Sequence, residues 1–343
     1  MIKFTSSIDP RKISFYWALT KYCDKSCHYC AASEFVKTTK KNKNLLECSD
    51  EKILLDDYIA KMLPELVPSG HIMFFGGEPT LHPKCIDYFN ELCLATKDNP
   101  NVTLYLITHG DISEERIRSI NTHGKQEVAI SISYHYYQVD FEAWFERVKI
   151  FNSLYNVIVS ALTPRRPAVW DQFEKNIRFI IDSGIPVELK PEFDYVNNDF
   201  DPISINHFKD LKIEAEKTRT PFLESYHQDV IYVTDGNRKE TLTKIKDIGN
   251  IPVVPLKTVC ANKTFILLEN ILQFSCGEGR KLKLTNDISV DEVKEFISKN
   301  SIICTRNSCQ ENRNTPATIT IAGASLEDKR YQDFVNTWKE QHD

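Results

Sequence analysis

The stretch Cys23-Asp24-Lys25-Ser26-Cys27-His28-Tyr29-Cys30 spaces three cysteines as Cys-x3-Cys-x2-Cys. This spacing lets one short loop place three thiolates at three corners of an iron-sulfur cube, with the fourth iron left open to another ligand. A zinc knuckle and three incidental core cysteines are the alternatives. Zinc sites usually combine two Cys-x2-4-Cys arms or add histidines, and only His28 lies nearby in sequence. The ligand count therefore favours a cluster with an open iron.

A second segment, residues 71–80, reads as a buried apolar strand that breaks into Gly76, Gly77, Glu78 and Pro79. Glycines at a strand end let the backbone approach a ligand closely, and a carboxylate there can bind an ammonium group. An ordinary strand-to-loop turn would explain the glycines and the proline. It does not require the glutamate.

Together the two segments resemble the radical S-adenosylmethionine superfamily, in which the three-cysteine loop follows the first strand and Gly-Gly-Glu-Pro follows the second. The resemblance implies that Cys23, Cys27 and Cys30 hold a 4Fe-4S cluster whose open iron is chelated by S-adenosylmethionine. The cofactor pair would generate a 5'-deoxyadenosyl radical that abstracts a substrate hydrogen. A low-potential electron donor such as flavodoxin or ferredoxin is the partner that this chemistry implies.

The same resemblance implies which residues bind S-adenosylmethionine. Tyr29 would lie beside the adenine, and Gly76, Gly77 and Glu78 would receive the methionine amine. Ser133, at the end of the fourth predicted strand, would contact the ribose or the methionine carboxylate.

Composition is that of a folded protein with an ample core: the 343 residues are 41% hydrophobic and 27% charged. A formal charge of -5 argues against a broad nucleic-acid-binding face. The first residues carry no apolar signal-peptide segment and no apolar run approaches membrane-spanning length, which predicts a cytoplasmic location. In that reducing compartment, ten cysteines favour metal binding over disulfides.

Short apolar runs alternate with amphipathic stretches in the first part of the chain, which predicts a parallel sheet with helices outside it. Asp111 with Glu114 predicts a helix start, and Gly184 predicts a helix end. Six strand-helix units fit a partial (β/α)6 TIM-like barrel over residues 1–195, the fold that the resemblance also implies. The predicted strands are Ile13 to Ala18, Ile72 to Phe75, Val102 to Ile107, Val128 to Ser133, Val157 to Leu162 and Val187 to Lys190.

Ligand sites of such barrels gather at the carboxyl ends of the strands. His135 after the fourth strand and Arg165 after the fifth are therefore candidate catalytic residues. His109 and Lys190 are further candidates from neighbouring strands. For each one, a solvated loop or a hydrogen bond at the barrel rim is an equally good interpretation.

Residues 196–343 lose the strand-helix rhythm and predict a smaller α+β extension. Cys260 and Cys276 bracket a hairpin with Glu269-Asn270 in its turn, and Cys304 and Cys309 follow an amphipathic stretch. The arrangement resembles a SPASM or twitch extension and implies one auxiliary 4Fe-4S cluster. A structural zinc ion or buried free thiols would look the same in sequence.

The leading functional hypothesis is hydrogen abstraction from a small polar metabolite such as a sugar, nucleoside or amino acid derivative. The alternative is a peptide maturase that installs a crosslink or thioether in a ribosomal precursor. A first strand near residue 13 leaves no room for a leader-binding domain before it, which lowers this alternative. A third hypothesis, a non-catalytic iron-sulfur or zinc protein, predicts loss of Glu78 or of a loop cysteine, and none is lost.

Overall fold

The structure is a computed structural model that describes residues 2–6, 13–27, 30, 37–38, 49–191, 193–194, 199–200, 207–218, 230–234, 239–244, 258–260, 264–274, 280–299, 302–304 and 319–321. Within these residues the chain forms two compact units, one of residues 17–64 and 72–220 and the other of residues 1–16, 65–71 and 221–343. None of the described helices is long and apolar enough to span a membrane.

The described strands are β1 (Ile2–Ser6), β2 (Ile13–Thr20), β3 (Tyr22–Cys23), β4 (Lys37–Thr38), β5 (Gly70–Gly76), β6 (Val102–Thr108), β7 (Val128–Tyr134), β8 (Val157–Thr163), β9 (Val187–Pro191), β10 (Phe193–Asp194), β11 (Asp199–Phe200), β12 (Val230–Thr234), β13 (Lys239–Lys244), β14 (Thr258–Cys260), β15 (Thr264–Leu268), β16 (Ile271–Phe274), β17 (Leu282–Lys283), β18 (Ile302–Cys304) and β19 (Ile319–Ile321). The described α-helices are α1 (Asp50–Leu66), α2 (Cys85–Ala95), α3 (Glu114–Arg118), α4 (Phe141–Leu154), α5 (Trp170–Asp182), α6 (Lys209–Glu216) and α7 (Val290–Lys299). Single 3-10 turns occur at Pro79–Leu81 and Pro167–Val169.

A sheet with strands in the order β2-β5-β6-β7-β8-β9 organises the unit of residues 17–64 and 72–220. Strands β6 to β9 pair in parallel. β2 and β5 also run in the same direction, since Ile13 bonds the residue before β5 and Thr20 bonds the residue after it. One helix, from α1 to α6, follows each of the six strands. The predicted (β/α)6 architecture is confirmed, and the sheet stays open.

β2 is buried along nearly its whole length, and β6, β7 and β8 are each buried at five of their seven positions. Trp17, Phe74, Leu106 and Ile132 are fully buried, one in each of four neighbouring strands. Parallel strands with helices on their faces are shielded on both sides, so their sequences read as continuous apolar runs. This burial explains why the strands could be predicted from the sequence.

The structure confirms the predicted helix end at Gly184 but not the predicted helix start at Asp111. Gly184 follows α5 with a positive φ of 74°, a conformation that glycine adopts without strain. The predicted helix start at Asp111 is wrong. Ser113 caps α3 instead, because its Oγ accepts the Arg116 amide at 3.3 Å, while Asp111 forms ion pairs with Lys25 and Arg147.

The other unit contains a six-stranded sheet in the order β13-β12-β1-β19-β14-β18. Its strand β1, which the sequence analysis did not predict, pairs antiparallel with β12 and β19. The predicted hairpin is confirmed: β15 and β16 are antiparallel with Leu268 opposite Ile271. Helix α7 matches the predicted amphipathic stretch.

Candidate active site

The three-cysteine loop begins at the end of β3, immediately after the first strand of the parallel sheet. Cys23 ends β3, and the chain returns at β4 to pair beside it, with Thr38 opposite Cys23. The Cys30 amide donates to the Cys27 carbonyl at 3.2 Å, which brings these two cysteines together. All three cysteines are half-buried and none is in a disulfide. His28 and Tyr29 lie outside the described residues.

The donor set of this loop fits an iron-sulfur cluster. Each thiolate of such a cluster binds a different iron atom, so the sulfurs need not converge on one point. Among the described residues, no three His, Cys, Asp or Glu side chains are placed to hold a single metal ion. Burial raises the pKa of Cys23 to about 12, so metal binding there must displace a proton.

Cys27 is contacted by two side chains from the loop that follows β7. His135 Nδ1 lies 3.3 Å from Cys27 Sγ, and Gln138 Nε2 donates to the same sulfur at 3.3 Å. Burial lowers the pKa of His135 to about 4, so its ring is neutral at neutral pH. Gln138 was missed by the sequence analysis, although it lies three residues beyond His135 in the same polar segment.

Gly76 and Gly77 bring the second motif against the backbone that leads into the cysteine loop. A Cβ at Gly76 would lie 2.3 Å from the Thr20 carbonyl oxygen, and one at Gly77 would lie 2.0 Å from that of Tyr22. The amide of Gly77 donates to Thr20 at 2.8 Å and the amide of Glu78 donates to Tyr22 at 2.7 Å. Only glycine fits so close an approach. The two motifs are thereby joined along their backbones.

The Glu78 side chain is 2% exposed and its oxygens already accept several hydrogen bonds. Oε1 accepts from the Thr80 amide at 3.1 Å, the Thr80 hydroxyl at 2.5 Å and the Thr108 hydroxyl at 2.7 Å. Oε2 accepts from the His109 amide at 2.8 Å. Glu78 thus caps the 3-10 turn that follows β5 and binds the end of β6 to it.

His109 connects Glu78 to the cysteine loop. Its Nε2 lies 2.8 Å from Asp24 Oδ1 and 3.4 Å from Glu78 Oε2, and its Nδ1 accepts the Asp111 amide at 3.0 Å. Burial lowers the pKa of His109, but the Glu78 and Asp24 carboxylates raise it by more, so the net shift of the pKa is upward. A ring that accepts at Nδ1 carries its proton on Nε2, so this geometry is that of a neutral histidine donating to Asp24.

The remaining predicted residues of this unit occupy different surroundings. Ser133 is half-buried near the end of β7, opposite Ser160 of β8. Arg165 lies in the exposed loop after β8, and Lys190 in β9 forms an ion pair with Glu188 at 2.8 Å.

Two of the four C-terminal cysteines lie in described strands. Cys260 of β14 is opposite Ile302, and Cys304 of β18 is opposite Thr258, so the two residues are two register positions apart on neighbouring strands. Cys276 and Cys309 lie outside the described residues.

The model of the Radical SAM superfamily matches residues 17–191, half of the chain. The chain therefore belongs to the radical SAM superfamily and is a radical SAM enzyme. The domain implies a 4Fe-4S cluster and S-adenosylmethionine as its cofactors. No curated protein matches the chain by sequence.

Solved structures with bound S-adenosylmethionine share the fold at low sequence identity. Native anSMEcpe with bound S-adenosylmethionine superposes with a TM-score of 0.51 and 13% identity, covering 95% of this chain and 96% of that one. The complex of anSMEcpe with the same cofactor and the Cp18Cys peptide gives 0.50 and 12%, with 95% of each chain covered. Streptococcus suis SuiB bound to precursor peptide SuiA gives 0.42 and 12%, covering 61% of this chain and 47% of SuiB. The chain thus spans about half the length of SuiB.

Proposed function

We propose that this radical SAM enzyme reductively cleaves S-adenosylmethionine at the three-cysteine loop and abstracts hydrogen from a small polar metabolite, such as a sugar, nucleoside or amino acid derivative. One observation carries the site assignment. The amides of Gly77 and Glu78 bond the backbone of Thr20 and Tyr22, so the Gly-Gly-Glu segment lies directly beside the strand end that begins the cysteine loop.

Cys23, Cys27 and Cys30 would hold the 4Fe-4S cluster. The Glu78 carboxylate already accepts from Thr80, Thr108 and His109, so we assign the methionine amine to the backbone of residues 76–78. When bound, the cluster and S-adenosylmethionine supply a 5'-deoxyadenosyl radical with one electron from a donor such as flavodoxin or ferredoxin.

The other proposed contacts come from the carboxyl ends of neighbouring strands. Ser133 is assigned to the ribose or the methionine carboxylate, and Tyr29 to the adenine. His135 and Arg165, in the loops after β7 and β8, are assigned to the side of the site that meets the substrate. We assign this chemistry to the cytoplasm, where thiols are kept reduced.

An auxiliary 4Fe-4S cluster on Cys260, Cys276, Cys304 and Cys309 is the second part of the proposal. The register of β14 and β18 supports it, because strand positions two apart belong to the same face of a sheet. A SPASM or twitch-like extension would use such a cluster to ligate substrate or to accept an electron from the product radical. A zinc ion bound by the same cysteines is the competing assignment.

Replacing Cys27 with Ala should abolish reductive cleavage, because the loop then offers only two thiolates. Formation of 5'-deoxyadenosine and methionine is measured under anaerobic conditions with dithionite as reductant. The matched control is Cys93→Ala, which alters a buried cysteine of α2 and should retain cleavage. Full cleavage by the Cys27 variant would overturn the site assignment.

A peptide substrate is the second candidate, favoured by the likeness over 95% of the chain to anSMEcpe bound to the Cp18Cys peptide. Extracts of cells grown on a deuterated carbon source separate the two candidates after fractionation by size. A metabolite substrate predicts deuterium transfer into 5'-deoxyadenosine from the small-molecule fraction. Transfer from the peptide fraction alone would replace the metabolite hypothesis by the peptide one.

A further inference from the structure

Gln138, in the connection between β7 and α4, contacts two consecutive residues of the cysteine loop. Its Oε1 accepts the Ser26 amide at 2.8 Å, and its Nε2 donates to Cys27 Sγ at 3.3 Å. One side-chain amide therefore bonds both the backbone and a sulfur of a loop that lies more than a hundred residues away in sequence.

The backbone that carries Gln138 is fixed on both sides. Its own amide donates to the His135 carbonyl at 2.8 Å, which closes a turn after β7. Two residues later, Asp140 caps α4 by accepting the Ala143 amide at 3.1 Å. The side chain thus extends from a backbone with little freedom, as required of a group that holds a neighbour in place.

Only a carboxamide makes both contacts. A carboxylate of the same shape would still accept from Ser26 but would have no hydrogen to donate to sulfur, and an aliphatic side chain would do neither. Hydrogen bonds donated to cluster sulfurs stabilise the more negatively charged, reduced state, and so they raise the reduction potential.

We propose that Gln138 is a positioning residue that presents Cys27 to the cluster and raises the cluster's reduction potential through its hydrogen bond to Cys27 Sγ. This inference rests on the proposed function, in which Cys27 is a cluster ligand. The hydrogen bond from Gln138 would make it easier for the cluster to accept the single electron that an external reductant supplies.

Potentiometric titration with dithionite, followed by the paramagnetic signal of the reduced cluster, tests the sulfur contact. Gln138→Leu removes the donor, so the ratio of oxidised to reduced cluster at the wild-type midpoint should rise about tenfold, a shift of about 59 mV to more negative potential. Gln138→Glu should shift further in the same direction, because it also adds a negative charge. A wild-type midpoint in both loaded variants would overturn the proposal.

Gln126→Leu and Gln126→Glu are the matched controls. Gln126 is exposed, donates to Gly124 at 3.2 Å, and precedes the opposite end of β7, about 20 Å of strand away from Gln138. Both control variants should keep the wild-type midpoint. A shift as large as that of the Gln138 variants would mean that the potential responds to surface changes in general, and would also overturn the proposal.

Amide hydrogen exchange of the protein without cluster tests the backbone contact and needs no loaded enzyme. Exchange at Ser26 should be about five- to tenfold faster in Gln138→Leu, because a bond of about 1 kcal/mol is lost, and unchanged in Gln138→Glu, which keeps the acceptor. Equal exchange in all three proteins would contradict the proposal even if the leucine variant failed to bind iron. Wild-type protein without any cluster signal after reconstitution would instead contradict the proposed function.

Discussion

The Glu78 carboxylate is buried beside the proposed cofactor site, and its burial is tolerated because fixed donors surround it. Thr80 and Thr108 donate to one oxygen and the His109 amide donates to the other. A buried charge without such partners would be strongly destabilising. The residue type at this position is therefore explained by a hydrogen-bond network as well as by any contact with a ligand.

Glu78→Gln should lower the free energy of unfolding by about 1–3 kcal/mol. The glutamine NH2 group would replace a carboxylate oxygen that accepts hydrogen bonds, so two donors would face each other. Urea unfolding of the protein without cluster measures this change. Glu114→Gln is the matched control, because Glu114 is exposed and pairs with Arg118 four residues away in α3. That variant should change stability by less than about 0.5 kcal/mol. Equal stability of the two variants would show that the Glu78 network is not stabilising.

At the scale of the elements, a buried lysine connects a helix to a strand in the unit of residues 17–64 and 72–220. Lys125 precedes β7 with a fully buried side chain, and its Nζ donates to the carbonyls of Thr96 and Asn99, both at 2.9 Å, and to Glu127 at 3.2 Å. Thr96 directly follows α2 as its C-cap residue. The lysine therefore links the end of α2 to the start of β7 by adding a second hydrogen bond to two carbonyl oxygens, which also accept the amides of Asn99 and Val102.

Lys125→Met should destabilise the protein by about 1–3 kcal/mol, because methionine fills a similar volume but removes the hydrogen bonds that the charged ammonium group donates to two carbonyls and to Glu127. Chemical denaturation followed by circular dichroism measures the change. Lys149→Met serves as control: Lys149 is exposed and pairs with Glu146 within α4, so its loss should be worth under about 0.5 kcal/mol. A small effect at both positions would contradict the role assigned to Lys125.

At the scale of the whole molecule, the proposal places one cluster in each compact unit. Cys23, Cys27 and Cys30 belong to the unit of residues 17–64 and 72–220, and the C-terminal cysteines belong to the other. Metal content can therefore be changed in one unit at a time.

Reconstituted wild-type protein should contain about eight irons if the second site is a 4Fe-4S cluster, and about four irons and one zinc if it is a zinc site. Replacing Cys260, Cys276, Cys304 and Cys309 together should leave about four irons and retain cleavage of S-adenosylmethionine, while substrate turnover is lost. Metal analysis and product assays measure both. Normal turnover in this variant would show that the second site is dispensable, and its wild-type iron content would overturn the ligand assignment.

The sequence by itself determined the class of enzyme and the positions of its six parallel strands along the chain. These predictions used local patterns: the cysteine spacing, the Gly-Gly-Glu-Pro segment and the apolar runs from Ile13 to Lys190. A short loop motif or a buried strand can be predicted locally, because it depends on residues that are close together in sequence. The terminal strand β1 was missed because its partners β12 and β19 lie more than 200 residues away.

Only the tertiary structure decided which polar side chains meet at the site. Gln138 contacts Cys27 across 111 residues, and His109 contacts Asp24 across 85. Neither pair has a local signature, because contacts between loops at the ends of parallel strands depend on strand order and register, which bring distant segments to the same edge of the sheet.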